Sequence, residues 1–284
     1  MNRLTQPSCP WFVMVTILGL GAATPVALGQ QTLPQSSAIP QKQQAPHPLD
    51  PALEMARASL QHIQANVDDY TAQFVKRYRM DGELTEMQYA NVKIRNRKIK
   101  DGKSVTPMAV YLDFLKPDSV KGREVIWVDG ENEGKLIAHD DTGIRKLINA
   151  SLDPNGYLAM RGQRHPITEI GIEKLVTKMI ETVERDRHYG ECDVQFRDIK
   201  VNEANCTMLQ VIHPVRREHF DFFCARMYFD KKLNIPIRYE SWSWPEKSGE
   251  KPVLEEEYTY FRMKVNVGLT DQDFSTGNSA YRFQ

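Results

Sequence analysis

Between Tyr70 and Met263 this chain reads as one extended segment after another, most of them closed by a tight-turn signal such as Asp81-Gly82, Asp101-Gly102 or Asp129-Gly130. That punctuation constrains the fold more than any other feature. Strands joined by tight turns pair as antiparallel neighbours, because a parallel crossover needs a long connection. The first run comprises Tyr70–Met80, Glu86–Lys100, Met108–Leu115, Arg123–Val128 and Gly134–His139, after which Asp141-Thr142-Gly143 turns into a further short extended piece. In the first of these segments Tyr70, Phe74 and Tyr78 share one face, with Lys76 as the exception on it. The second run comprises Cys192–Val201, Cys206–His213, Phe220–Phe229, Ile235–Trp244 and Val253–Met263.

Two amphipathic helices break the pattern. Asp50-Pro51 supplies an N-cap and a first-turn proline, and Leu53, Ala56, Leu60, Ile63 and Val67 then recur at helical spacing. A second helix is predicted from Ile167 to Arg187, its stripe formed by Ile170, Leu175, Val176, Met179, Ile180 and Val183. Residues 151–166, with two prolines and two glycines, read as irregular. A sheet of about ten antiparallel strands has to curl to bury one face, and both helical stripes need cover. Together these demands predict an α+β fold: a strongly curved antiparallel sheet, an open, unclosed β-barrel of about ten strands, with two helices packed in its concavity or mouth.

The N-terminus carries a different kind of signal. Arg3 precedes an apolar run from Trp11 to Ala23, and Ala27-Leu28-Gly29 offers small residues before Gln30. This is the order of a secretory signal peptide over residues 1–29, cleaved after Gly29. The run is shorter than the roughly 20 residues a bilayer core requires, so no transmembrane segment is expected after cleavage. Residues 30–48 are rich in Gln, Pro and Ser and read as a disordered tether. A single domain is expected over 49–276, with a loose tail over 277–284. The expected location is exported, periplasmic or extracellular, and soluble.

Lys plus Arg and Asp plus Glu both number 37, and removal of residues 1–29 takes away only Arg3. A near-neutral chain gives no electrostatic case for nucleic acid. Cys192, Cys206 and Cys224 remain after cleavage, an odd count with no CxxC pair, so neither a disulfide framework nor a zinc site is expected. One bridge among the three is compatible with an oxidising compartment, with its pairing open. His213, His219 and Asp221 are a possible metal set, but Arg216 and Arg217 lie between the histidines and oppose a cation. They are read as polar turn residues. No nucleophile-elbow, zinc-protease or phosphate-cradling motif occurs. No cofactor, metal or catalytic residue is assigned.

Alternation picks out Phe74, Leu112, Phe114, Trp127, Leu209 and Phe222 as candidates to line a cavity, a set that one slip in register would reverse. Trp242 and Trp244 fall on one face of a strand, and Tyr258 and Tyr260 on one face of the next. These four are either cross-strand packing pairs or an aromatic wall facing a ligand.

The stretch from Val110 to Gly130, VYLDFLKPDSVKGREVIWVDG, resembles the middle of periplasmic lipoprotein-carrier proteins and their outer-membrane-lipoprotein-sorting relatives. The ending Gly268-Leu269-Thr270-Asp271-Gln272-Asp273-Phe274 resembles their closing motif. More narrowly, the region from about Leu49 to Phe274 resembles a secreted bacterial family, domain of unknown function 1571. The broader resemblance implies an unclosed β-barrel whose helices lie over an apolar cavity for acyl chains. The glycine-containing 151–166 stretch and the inserted Glu131-Asn132-Glu133 depart from the classical carriers. The resulting expectation is a non-catalytic binding protein that shelters an acyl chain or other apolar ligand, in the manner of a lipid or lipoprotein carrier. The alternatives are a structural or protein-interaction domain of the cell envelope with a filled core, and a secreted enzyme.

Overall fold

The computed structural model describes residues 47–141, 149–247 and 249–283. The proposed signal peptide and nearly all of the tether lie outside the described residues. Helix α1 (Asp50–Asn66) leads into β1 (Asp69–Met80), the two-residue β2 (Glu83–Leu84) and β3 (Gln88–Arg95). A separate hairpin, β4 (Lys98–Lys100) and β5 (Lys103–Thr106), precedes β6 (Ala109–Lys116), β7 (Glu124–Val128), β8 (Leu136–His139) and β9 (Asn149–Leu152). The short α2 (Tyr157–Met160) and the long α3 (Ile172–Asp186) follow. The chain closes with β10 (Asp193–Val201), β11 (Ala204–Ile212), β12 (Cys224–Asp230), β13 (Ile235–Ser243) and β14 (Val253–Val265).

Twelve strands form one sheet in the order β10-β11-β12-β13-β14-β1-β3-β6-β7-β8-β9, with β2 hanging on β1, and the path does not close on itself. Every pairing is antiparallel. The α+β, unclosed antiparallel architecture is therefore as predicted, while the detail differs. The sheet has twelve strands, not about ten, and the described residues contain three α-helices, not two. The extended stretch Glu86–Lys100 is not one strand: it breaks at Asn96, whose backbone N–H bonds to Asp68 and whose side chain donates to Val67. The second predicted helix breaks at Gly171, where φ is +112° and an added Cβ would stand 3.1 Å from the Tyr70 hydroxyl. That hydroxyl in turn accepts from the Ile172 backbone N–H at 3.0 Å, seating the start of α3 on the sheet.

The turn reading follows from backbone geometry. Asp81 and Gly82 both have positive φ (52° and 83°), as do Asp101 and Gly102 (52° and 72°), the type I′ signature of a two-residue hairpin. On the inner face, Ile63 and Val67 of the α1 region, Ile172 and Val176 of α3, and Tyr70, Phe74, Val92, Ile94 and Leu112 of the sheet belong to one buried cluster. The helices thus cover the same face of the sheet that the alternation pattern marked as apolar.

One expectation needs correction, and the cysteine pairing left open above has an answer. The tail from Gly277 is not loose: Tyr281 and Phe283 are buried with Phe274, Tyr111 and Ile126 on the opposite face of the sheet. Tyr281 stacks on Tyr111 at 4.0 Å between ring centroids, and the Arg282 backbone N–H donates to the buried Glu124 at 2.6 Å. Among the described residues there is no disulfide: Cys192, Cys206 and Cys224 are buried free thiols. Cys192 precedes β10 and Cys224 begins β12, with β11 between them. Two strand spacings come to about 9.5 Å, beyond the roughly 7 Å that a bridge can span. Cys206 pairs with Asp230 near the opposite end of β11 from Ile212, the partner of Cys224. Burial raises all three thiol pKa values, that of Cys192 to about 11. A chain that begins at Gln30 should therefore show almost no thiol reactivity toward an aromatic disulfide reagent when folded, and three thiols in guanidinium chloride.

Candidate ligand-binding site

Between the inner face of the sheet and α3 lies a cavity of about 1480 Å³. It exceeds the roughly 300–1,000 Å³ of ordinary small-molecule pockets. One wall comes from β8 and β9 (Leu136, Ala138, Ala150, Leu152), another from β11 and β12 (Leu209, Val211, Ala225, Met227). Along the sheet order these walls stand many strands apart, so the sheet must curve for both to face one space. The floor is aromatic. Phe74 stacks on Tyr260 at 4.7 Å and lies 6.1 Å from Tyr258, which in turn stacks 6.1 Å from Tyr239. The roof is α3, through Leu175, Met179 and Val183.

Of the residues singled out by alternation, Phe74, Leu112, Phe114, Leu209 and Phe222 line this space. Trp127 does not. It belongs to the inner cluster but pairs with Val110 outside the cavity lining, where it is buried and its indole N–H donates to the Gly134 carbonyl at 3.2 Å. The four-residue aromatic wall separates in the same way. Tyr258 and Tyr260 line the cavity, but Trp242 and Trp244 do not. A register shift between Ser241 and Trp242 sets Trp242 opposite Leu254, and the Arg226 guanidinium lies 4.8 Å from its ring centre. Trp244 is past the end of β13, its indole N–H donating to the His213 carbonyl at 3.0 Å.

His213, His219 and Asp221 are not brought together as ligands, and no metal-binding group of three or more His, Cys, Asp or Glu side chains is found among the described residues. His213 is fully buried, stacked 3.8 Å from Phe220, with its Nδ1 3.1 Å from the Phe222 carbonyl. Burial depresses its pKa, and Asp186 stands 3.5 Å from its Nε2. Asp221 pairs instead with Arg185 at 2.9 Å, and the His219 ring stacks on Tyr189 at 3.5 Å.

The rim of the cavity carries further charged side chains, Arg123, Asp140, Asp221 and Arg226 among them, and two polar groups meet the loop 161–166. Glu256 on β14 holds this loop to the sheet: its Oε2 lies 2.9 Å from His165 Nε2, 3.4 Å from Arg164 Nε, and accepts a short hydrogen bond from the Tyr258 hydroxyl. Its burial alone would raise the pKa, but the His165 contact, the Tyr258 hydrogen bond and the Arg164 charge outweigh it and hold the carboxyl below its usual range. The Glu256 carboxylate is thus ionised, occupied and structural. The second is Lys76, whose ammonium donates to Gln163 Oε1 at 2.5 Å. The Tyr78 hydroxyl donates to the Gly162 carbonyl at 2.8 Å and lies 3.0 Å from the same Gln163 oxygen.

Sequence reasoning missed Tyr239, Gln163 and the role of the 161–166 loop. Lys76 was visible only as a charge that interrupts an apolar face. The glycines and prolines that made 151–166 look irregular were the available signal for a segment fitted over a mouth.

A family model described as "Protein of unknown function (DUF1571)" matches residues 67–283. No curated protein matches the chain. Among solved structures, the chain is similar to a DUF1329 family protein from Desulfovibrio piger (13% identity, 81% of this chain and 98% of that chain covered, TM-score 0.39). It is also similar to the Mycobacterium tuberculosis lipoprotein LppX (12% identity, 78% and 98% covered, TM-score 0.41). A LolA superfamily protein from Nitrosomonas europaea aligns at 12% identity over 78% of this chain and 97% of its own, with a TM-score of 0.31.

Proposed function

The chain belongs to the DUF1571 family of proteins of unknown function, and we propose that it is an exported binding protein that shelters an acyl chain or a similar apolar ligand between its sheet and α3. The observation that carries this reading is the cavity itself: about 1480 Å³, walled by aliphatic side chains and floored by stacked aromatics. Apolar lining left facing solvent forgoes about 25 cal/mol for each Å² that burial would remove from water. A fold gains nothing by keeping a space this large unless something occupies it. That argument disfavours the filled-core, purely structural alternative.

Binding of this kind needs no bond chemistry. A chain of about fifteen methylenes contributes roughly 12 kcal/mol gross at about 0.8 kcal/mol each. Ordering costs reduce this, and micromolar affinity requires only about 8 kcal/mol of net free energy. The lipoprotein-carrier resemblance of Val110–Gly130 points the same way, and transfer of the ligand between membranes is the finer form of the proposal. Among the described residues no helix is long and apolar enough to cross a membrane.

Titration of the purified protein with a fluorescent long-chain fatty acid tests the reading. Saturable enhancement at a stoichiometry near one, reversed by unlabelled palmitate, is the expected result. A flat titration would remove the proposal.

A further inference from the structure

Lys76 is half-buried, yet its ammonium has no carboxylate partner among the described residues. Lysine is almost never buried without a partner of opposite charge, because the desolvation of an ammonium group has to be offset. Here the side chain projects from β1 into the cavity, two residues from Phe74 on the same inner face. Its nitrogen lies 5.6 Å from the centre of the Tyr78 ring and 5.8 Å from that of Phe114. Its hydrogen-bond partner is the neutral amide of Gln163, and no carboxylate pairs with it among the described residues. The buried carboxylate of the same cavity, Glu256, is already engaged by His165, Arg164 and Tyr258. Burial lowers the Lys76 pKa to about 8, which leaves the amine protonated at neutral pH. Directly across the strand pair, Gln88 also lines the cavity, and its buried side-chain oxygen has no hydrogen-bond partner. Other cations, such as Arg123 and Arg226, also line the cavity, but Lys76 and Gln88 together form a polar station of one ammonium without a carboxylate partner and one open acceptor, set beside the aromatic floor.

Resting on the cavity reading above, we infer that Lys76 is the counter-ion for an anionic head group, so that the ligand is a negatively charged amphiphile and not a neutral oil. The head group, with carboxylate or phosphate oxygens, meets Lys76 beneath the 161–166 loop, where Gln163 holds the ammonium in place. The hydrocarbon chain then lies along Phe74, Leu112 and the aliphatic walls. In this arrangement the missing counter-charge arrives with the ligand, and a neutral analogue of equal length leaves the ammonium uncompensated.

The test compares hexadecanoate, hexadecyl phosphate and hexadecanol as competitors against one fluorescent acyl probe, with the wild type, Lys76→Met and Lys76→Arg. The expected result is that at least one of the two anions binds the wild type tenfold or more tighter than the alcohol. Lys76→Met should bring anion and alcohol level, and Lys76→Arg should retain the preference. Circular dichroism should show both variants folded, and the wild-type comparison stands without them. Equal binding of the anions and the alcohol to the wild type, or an anion preference that survives Lys76→Met, would overturn the assignment while leaving the cavity reading intact. Failure of all three competitors would remove both.

Discussion

Replacing Ala138 and Ala225 together by tryptophan should weaken the binding of a sixteen-carbon chain tenfold or more while leaving the thermal midpoint within a few degrees of the wild type. Both alanines line the cavity, one on β8 and one on β12, from walls that face each other across the curved sheet. Neither is fully buried, so an indole at either place grows into open space and does not overpack a filled core. The expected loss comes from excluded methylenes. Each one kept in water forfeits about 0.8 kcal/mol, so two of them account for about a tenfold change. An eight-carbon chain needs less of the space and should be much less affected. This length dependence separates a blocked cavity from a damaged fold, and calorimetric titration with the two chain lengths measures it. Equal weakening of both chains, or of neither, would show that the ligand lies elsewhere.

Asp69→Ala should be the most destabilising single substitution in the polar part of the molecule, at about 3–5 kcal/mol. Asp69 is the first residue of β1 and is buried. Its carboxylate accepts from the backbone N–H groups of Val267 at 2.7 Å, Gly268 at 3.2 Å and Leu269 at 3.0 Å. Its own carbonyl accepts from Asn266 at 2.7 Å. Asn266 completes the knot by donating to the Asn66 carbonyl and accepting from the Asp68 N–H, both at 2.8 Å. Alanine takes the charged acceptor from three N–H groups at the edge of the sheet, and hydrogen bonds to a charged group are each worth about 1.5–3 kcal/mol, less where water can replace the acceptor, as at the exposed Val267 and Gly268. The same knot starts the C-terminal segment that carries Phe274, Tyr281 and Phe283 across the back of the sheet. In a domain of this size the loss corresponds to a fall of about 10 °C in the thermal midpoint. Asp69→Asn keeps one acceptor oxygen and should lose about half as much. Thermal denaturation of the three proteins checks the order wild type, Asn, Ala.

The closing motif from Gly268 to Phe274 was legible as a resemblance, but its mechanical role was not. The knot joins residues about two hundred positions apart, and no periodicity reports a contact at that separation. Where local rules dominate, reading succeeded. The type I′ pairs at Asp81-Gly82 and Asp101-Gly102 and the stripe of α1 reappear in the structure, and along β6 Val110, Leu112 and Phe114 face one cluster while Ala109 and Tyr111 face the other. Errors arose where tertiary contacts override local preference. Trp242 alternates correctly along its own strand, yet one irregularity after Ser241 shifts its partner, and it stacks with Arg226 away from the cavity. Tyr281 and Phe283 sit in a short polar tail whose composition resembles a loose end, but Tyr111 and Glu124 on the back of the sheet give them a place. Lys76 reads in sequence only as an exception on an apolar face, because its contact with Gln163 joins residues 87 positions apart.

The central claim is that the space under α3 is occupied in the working protein. Native mass spectrometry of the full-length chain, expressed in a bacterial host and purified without detergent, tests it most directly. The account predicts a second charge-state series heavier than the bare chain by the mass of an acylated amphiphile. That extra mass should be lost on collisional activation and recovered in the organic extract, and the Ala138→Trp, Ala225→Trp variant should lack it. A single series at the mass of the bare chain, in protein that also fails to take up added hexadecanoate, would contradict it.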